Sequence, residues 1–106
     1  MAVGNISGTV IISRTSGGTS ARCLAKAPVL FGIPTGFPDG SPLRITVTQG
    51  TGGPYAVTWD AVFNFPVDEA AGAPVTGQNY AAPGHADIWE FVLESSLWVC
   101  RGHWYT

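Results

Sequence analysis

His85 and Asp87 stand two residues apart on a segment that reads as a strand, so both side chains leave on one face. A His-x-Asp pair can ligate a metal, or act as a base with its orienting carboxylate. His103 is the third group that could meet them. The last two strands are expected to pair about the turn Glu94-Ser95-Ser96, with Leu93 opposite Leu97 and His103 opposite Asp87. Three such side chains could hold a divalent ion. The plainer reading is a surface pair at the start of a strand. It is preferred, and no metal and no cofactor is expected.

Other constellations carry less chemistry. Asp68 and Glu69 are adjacent carboxylates in a loop, and their side chains diverge too far for paired acid–base work on a sugar. They read as a solvated tip that could contact a partner. Ser41, Ser95 and Ser96 lack the Gly-x-Ser-x-Gly context of a nucleophile elbow. Gly50-Thr51-Gly52-Gly53 has no helix after it to meet a phosphate, so it reads as a turn. Cys23 and Cys100 have no zinc spacing and read as small buried hydrophobes, with a disulfide as the lesser alternative. Neither a catalytic residue nor an enzyme activity is expected.

The aromatic side chains raise a different chemistry. Trp59, Trp89, Trp98 and Trp104, with Tyr55, Tyr80 and Tyr105, could stack on sugar rings. Packing is the competing use, since an aromatic carries much of a small β core. Trp59 and Trp89 lie on apolar faces and are assigned to packing. Tyr80, in a long loop, is the better placed for stacking on a ligand.

The elements that must position these residues read as strands throughout. Leu43, Ile45 and Val47 alternate with Arg44, Thr46 and Thr48, and Tyr55, Val57 and Trp59 repeat the pattern. This reads as a hairpin across the glycine loop 50–54. Ile6–Ser13 and Ala21–Ala27 read as an earlier hairpin around the flexible turn 15–20, and Ala61–Phe65 as a short strand. Pro38-Asp39-Gly40 has turn chemistry. Residues 67–84 read as a long ordered loop, which in a compact domain is a candidate contact surface. In the closing hairpin, Trp89, Phe91 and Leu93 share one face. On its return strand Trp98, Cys100, Gly102 and Trp104 share a face, with Leu97, Val99, Arg101 and His103 on the other. The expected architecture is all-β: one antiparallel β-sandwich or jelly-roll-like barrel of 7–8 short strands spanning 1–106.

Composition bounds the partners. Of the 106 residues only 11% are charged, against about 25% in an ordinary soluble domain. A free monomer covers itself with charge, so coverage by neighbouring subunits is expected. The net charge of -2 leaves no electrostatic footprint for nucleic acid. No apolar run is long enough for a helix to span a bilayer. The segment MAVGNISGTVIIS lacks a basic region followed by an apolar stretch, so no signal peptide is expected, and synthesis in a host cytoplasm is.

Residues 43–106 resemble the small β domains at the C-termini of bacteriophage tail fibres and of collagen-like phage virion proteins. The residues that carry the likeness are Gly52-Gly53, Val57-Thr58-Trp59, Phe65-Pro66, Pro74-Val75-Thr76, Asp87-Ile88, Phe91 and Trp98. Asp60 departs from the proline common after the tryptophan, and Phe65 stands where tryptophan is frequent. The resemblance implies a homotrimeric, virion-exposed structural domain and supplies no catalytic residues. No collagen-like repeat or coiled coil precedes the domain in this chain. The expectation therefore moves toward a capsid decoration or cement protein, or a knob, bound to a major capsid protein or another virion protein. In that reading residues 1–42 contribute attachment and the C-terminal hairpins build the trimer. The alternative is a fibre-tip-like module that binds a receptor or a host surface glycan, with Tyr80, Asp68 and Glu69 as contacts.

Overall fold

Leu43, Ile45, Val47 and Gln49 are buried while Arg44 is exposed, the period of two that a strand with one covered face requires. The computed structural model describes residues 2–14, 20–65, 67–68, 73–74, 79 and 81–106. Among them lie β1 (Ala2–Val10), β2 (Ser20–Phe31), β3 (Pro42–Gln49), β4 (Val57–Trp59), β5 (Phe63–Asn64), β6 (Val67–Asp68), β7 (Ala73–Pro74), β8 (Ala86–Glu94) and β9 (Leu97–Tyr105). Seven strands form one sheet in the order β1-β2-β3-β8-β9-β5, with β4 also on β2, while β6 and β7 form a separate ribbon.

The chain is all-β, but the sheet is mixed and curled strongly into a half-barrel instead of an antiparallel sandwich or a closed jelly roll. β1, β2 and β3 run parallel, and β3, β8 and β9 run antiparallel. The expected hairpin of residues 6–13 with 21–27 is thus a parallel pair, in which Ile6 faces Ala25. Alternation reports which face of a strand is buried and is blind to the direction of its neighbour. Pro28–Phe31, read as a separate apolar piece, belongs to β2. The strand expected over 61–65 shrinks to Phe63–Asn64, parallel to β9.

The hairpin expected across residues 50–54 does not form. β3 and β4 both pair with β2, in parallel and in succession: Ala25 faces Gln49, and Val29 faces Val57. They are one strand line, interrupted where residues 50–56 leave it opposite residues 26–28. The glycines permit the detour as readily as they permit a reversal, so composition alone left both open.

Residues 32–41 carry the chain from the end of β2 back to the start of β3. Phe37, on that crossover, packs edge-on against Trp98 at 5.2 Å between ring centres. The concave face is filled by Ala21, Ile45, Val47, Phe31, Trp89, Phe91 and Trp98. Trp59 joins them as expected, 4.9 Å from Phe31, Phe63 and Trp89.

The closing hairpin is present. Glu94 faces Leu97 across the two-residue turn Ser95-Ser96, and both serines have positive φ (50° and 69°), the backbone that matches strand twist in a tight hairpin. The Ser95 N–H donates to Asp39 Oδ1 at 3.0 Å, which ties the turn to the crossover.

Candidate functional site

A β-bulge decides what β9 presents. Phe91 faces Cys100 and Glu90 faces Gly102, so Arg101 is the extra residue on its strand. An extra residue reverses the facing of everything beyond it. Trp98 and Cys100 point into the core, and His103, not Gly102 or Trp104, resumes that direction. The face expected to carry Trp98, Cys100, Gly102 and Trp104 is therefore split at Arg101. The register also differs by one step at the turn, since Leu93 faces Trp98 instead of Leu97.

His103 lands beside Asp87 by a route other than the expected one. Its ladder partner is Trp89, and Asp87 faces Tyr105. The imidazole stacks on the Trp89 indole at 4.6 Å and 13° and reaches diagonally to Asp87. A carboxylate can only accept, so His103 Nε2 donates to Asp87 Oδ1, at 2.8 Å. The Ala81 N–H donates to Asp87 Oδ2 at 2.9 Å. Asp87 is fully buried, and the His103 side chain is 6% exposed. The Asp87–His103 pair is sealed from solvent; of the His85 and Asp87 surface pair expected at the start of the strand, His85 is exposed and Asp87 is buried.

His85 does not join them. Its side chain is exposed, and its backbone is held between Ala82 and Gln49. Among the described residues no group of three His, Cys, Asp or Glu side chains could hold a metal ion. Tyr80 and Glu69 lie outside the described residues; Asp68 is described only as part of the β6 backbone.

The segment around His85 locks onto the detour between β3 and β4 through Gln49, which is 1% exposed. The Tyr55 N–H donates to Gln49 Oε1 at 2.7 Å, and Gln49 Nε2 donates to the Tyr55 carbonyl at 3.1 Å. The Gln49 N–H donates to the His85 carbonyl, and its own carbonyl accepts from the Gly84 N–H. The side-chain amide thus stands in for a missing strand neighbour, satisfying backbone groups that burial would otherwise leave costly. Asn79 helps: its Oδ1 accepts from the Val57 N–H and its Nδ2 donates to the Tyr55 carbonyl, both at 3.0 Å. No sequence motif marks Gln49; the one hint was a polar residue at an inward position of an alternating strand.

Cys23 and Cys100 are free and buried, as small hydrophobes. Burial pushes the Cys23 thiol up to about 12. It pushes Cys100 up to about 11, partly opposed by the Gly102 backbone; the Cys100 Sγ–H donates to the Gly102 carbonyl at 3.4 Å. Neither is a nucleophile at neutral pH.

The outer face of β3, β8 and β9 is where polar and aromatic groups converge in the open. Arg44 pairs with Glu90 (3.4 Å) and Arg101 with Glu94 (2.6 Å). The Arg44 guanidinium lies 5.6 Å from the centre of the Trp104 ring. Of these, Arg44, Glu90, Arg101 and Trp104 border a groove of about 400 Å³. Sequence reasoning missed Trp104 as a surface group because the bulge that exposes it has no residue signature. The chain matches no family model, no curated protein and no solved structure.

Proposed function

We propose that this chain is a structural protein of a bacteriophage virion surface, a homotrimeric capsid decoration, cement or knob protein that acts by binding and not by catalysis. The observation that carries the reading is an apolar, charge-poor exterior. Only 11% of residues are charged, while Ile11 and Ile33 are 52% exposed and Leu30 39%. All three lie within residues 1–42, the part assigned to particle attachment. Ile11 and Leu30 lie on one outward face, because Thr9 faces Leu30 and Ile11 lies against Gly32. Exposed apolar groups of this kind mark surfaces that partners cover. Residues 1–42 are not a separate arm, since β2 is hydrogen-bonded into the sheet between β1 and β3. Attachment would therefore use a face of the folded domain.

The test is localisation by electron microscopy of intact particles, with sedimentation of the isolated chain. Density on the capsid and a trimer are expected. Density on the tail alone would overturn the capsid reading, and a stable monomer would overturn the coverage argument. The second reading is a fibre-tip-like receptor- or glycan-binding module. Trp104 favours it, because its ring faces outward beside a polar groove.

A further inference from the structure

The bulge that turns His103 inward turns Trp104 outward. Trp104 remains 40% exposed at the border of a groove of about 400 Å³ that Ser20, Arg44, Glu90, Arg101 and Gly102 also line. We propose that this groove binds a neutral saccharide, with a pyranose ring stacked on Trp104 and its hydroxyls bonded by Arg44 and Glu90.

The volume falls in the range of small-ligand clefts, roughly 300–1,000 Å³. A pyranose offers an apolar C–H face and a rim of hydroxyls, each a donor and an acceptor. The matching surface is a flat aromatic ring beside a guanidinium donor and a carboxylate acceptor. Arg44 and Glu90 supply those groups, on adjacent strands and paired with each other at 3.4 Å.

The platform is also held in place. A Cβ added at Gly102 would come within 3.3 Å of the Trp104 ring, so the indole lies close over the backbone where a side chain is missing. The Arg44 guanidinium lies over the ring, 5.6 Å from its centre. A ring already immobilised loses little freedom when a ligand stacks on it.

Charge selects the class of sugar. Arg44 pairs with Glu90 and Arg101 with Glu94, so the cations are neutralised in pairs. An acidic sugar would have to displace a carboxylate; a neutral one inserts hydroxyls between the partners. The site rests on the binding-module reading and is independent of particle location. A chain missing from particles would leave saccharide binding intact, and absent binding would leave particle localisation intact.

The test uses the full chain on a printed panel of neutral and acidic oligosaccharides, followed by tryptophan-fluorescence titration with the neutral probe that binds best. Saturable binding is expected, weakened about tenfold or more by Trp104→Ala and partly restored by Trp104→Phe. Arg44→Ala should weaken it without changing the near-ultraviolet circular dichroism. Trp104 and Arg44 are surface groups, so both variants should fold. The proposal is overturned if no neutral saccharide gives a signal that Trp104→Ala removes, or if acidic sugars bind better than neutral ones. It is equally overturned if Trp104→Ala alters sedimentation while leaving saccharide binding unchanged, which would assign the ring to a second copy of the chain.

Discussion

His103 Nε2 lies 2.8 Å from Asp87 Oδ1 although the strand partner of His103 is Trp89. The contact is diagonal, and the carboxylate also accepts from the Ala81 N–H. It ties β8, β9 and the segment before β8 together inside the core. Asp87→Ala would leave a buried imidazole and a backbone donor without their acceptor. A loss of about 3 kcal/mol in urea unfolding is expected, with Asp87→Asn losing less because one acceptor oxygen remains. A loss below ~1 kcal/mol would show that the pair contributes little.

Gln49 and Tyr55 provide a second test. Gln49→Ala removes both hydrogen bonds to the Tyr55 backbone and opens a cavity, so a loss of about 2–4 kcal/mol is expected. Gln49→Glu keeps the size but sets a carboxylate against the Tyr55 carbonyl, and should also destabilise. Tyr55→Phe removes only the exposed bond to the Thr51 carbonyl and should cost about 1 kcal/mol or less. Amide exchange at Tyr55 is the direct readout: it should quicken in Gln49→Ala and stay slow in Tyr55→Phe.

The buried thiols give a pH dependence with a definite sign. Their folded values, about 12 for Cys23 and about 11 for Cys100, lie above the unfolded value near 8.5. The folded state holds these protons longer than the unfolded state does. The stability tied to the neutral thiols is thus complete below about 8.5 and is lost as pH rises through about 11 to 12. Melting temperature should fall over that alkaline window, and fall less in a Cys23→Ala, Cys100→Ala double variant. Maleimide labelling at neutral pH should be slow in the folded protein and rapid in guanidinium. Immediate labelling of both thiols in the folded state would contradict the burial.

Deleting Arg101 removes the bulge without changing which residues face inward, because Phe91 with Cys100, Glu90 with Gly102 and Trp89 with His103 then form an unbroken ladder. The deletion should fold, keep the His103–Asp87 bond and lose about 1 kcal/mol or less with the exposed Arg101–Glu94 pair. One alanine inserted between Gly102 and His103 would instead turn Trp104 inward and His103 outward, and a loss of more than about 3 kcal/mol, or failure to fold, is expected. Equal urea unfolding of the two variants would mean that parity along β9 is unimportant.

What could be read from the residues was the burial of faces. Leu43, Ile45, Val47 and Trp89 were assigned to packing from alternation and apolar faces, and they are buried. The closing hairpin was legible because Glu94-Ser95-Ser96 interrupts two apolar alternations. Strand direction was not legible, since a parallel and an antiparallel neighbour ask the same side chains of a strand; hence the misread pairings of β1 with β2 and of β3 with β4. The meeting of Asp87 and His103 was foreseen from a register that proved wrong. The bulge at Arg101 compensated for that error and sent Trp104 to the outside. A bulge changes backbone geometry without demanding a particular residue, so nothing in the composition announced it.

The detour at residues 50–56 gives the molecule two opposite responses to added length. Along β9 away from Arg101, one more or one fewer residue exchanges inside for outside over the rest of the strand. Between β3 and β4 the chain has already left the ladder and rejoined it, with Gln49 fastening the stem. Extra residues between Thr51 and Gly52 would lengthen an excursion without touching the pairing of either half with β2. One stretch counts residues as odd or even; the other treats them as slack. The second is therefore where a lineage, or an engineer, can append a peptide to the domain without rewriting its core.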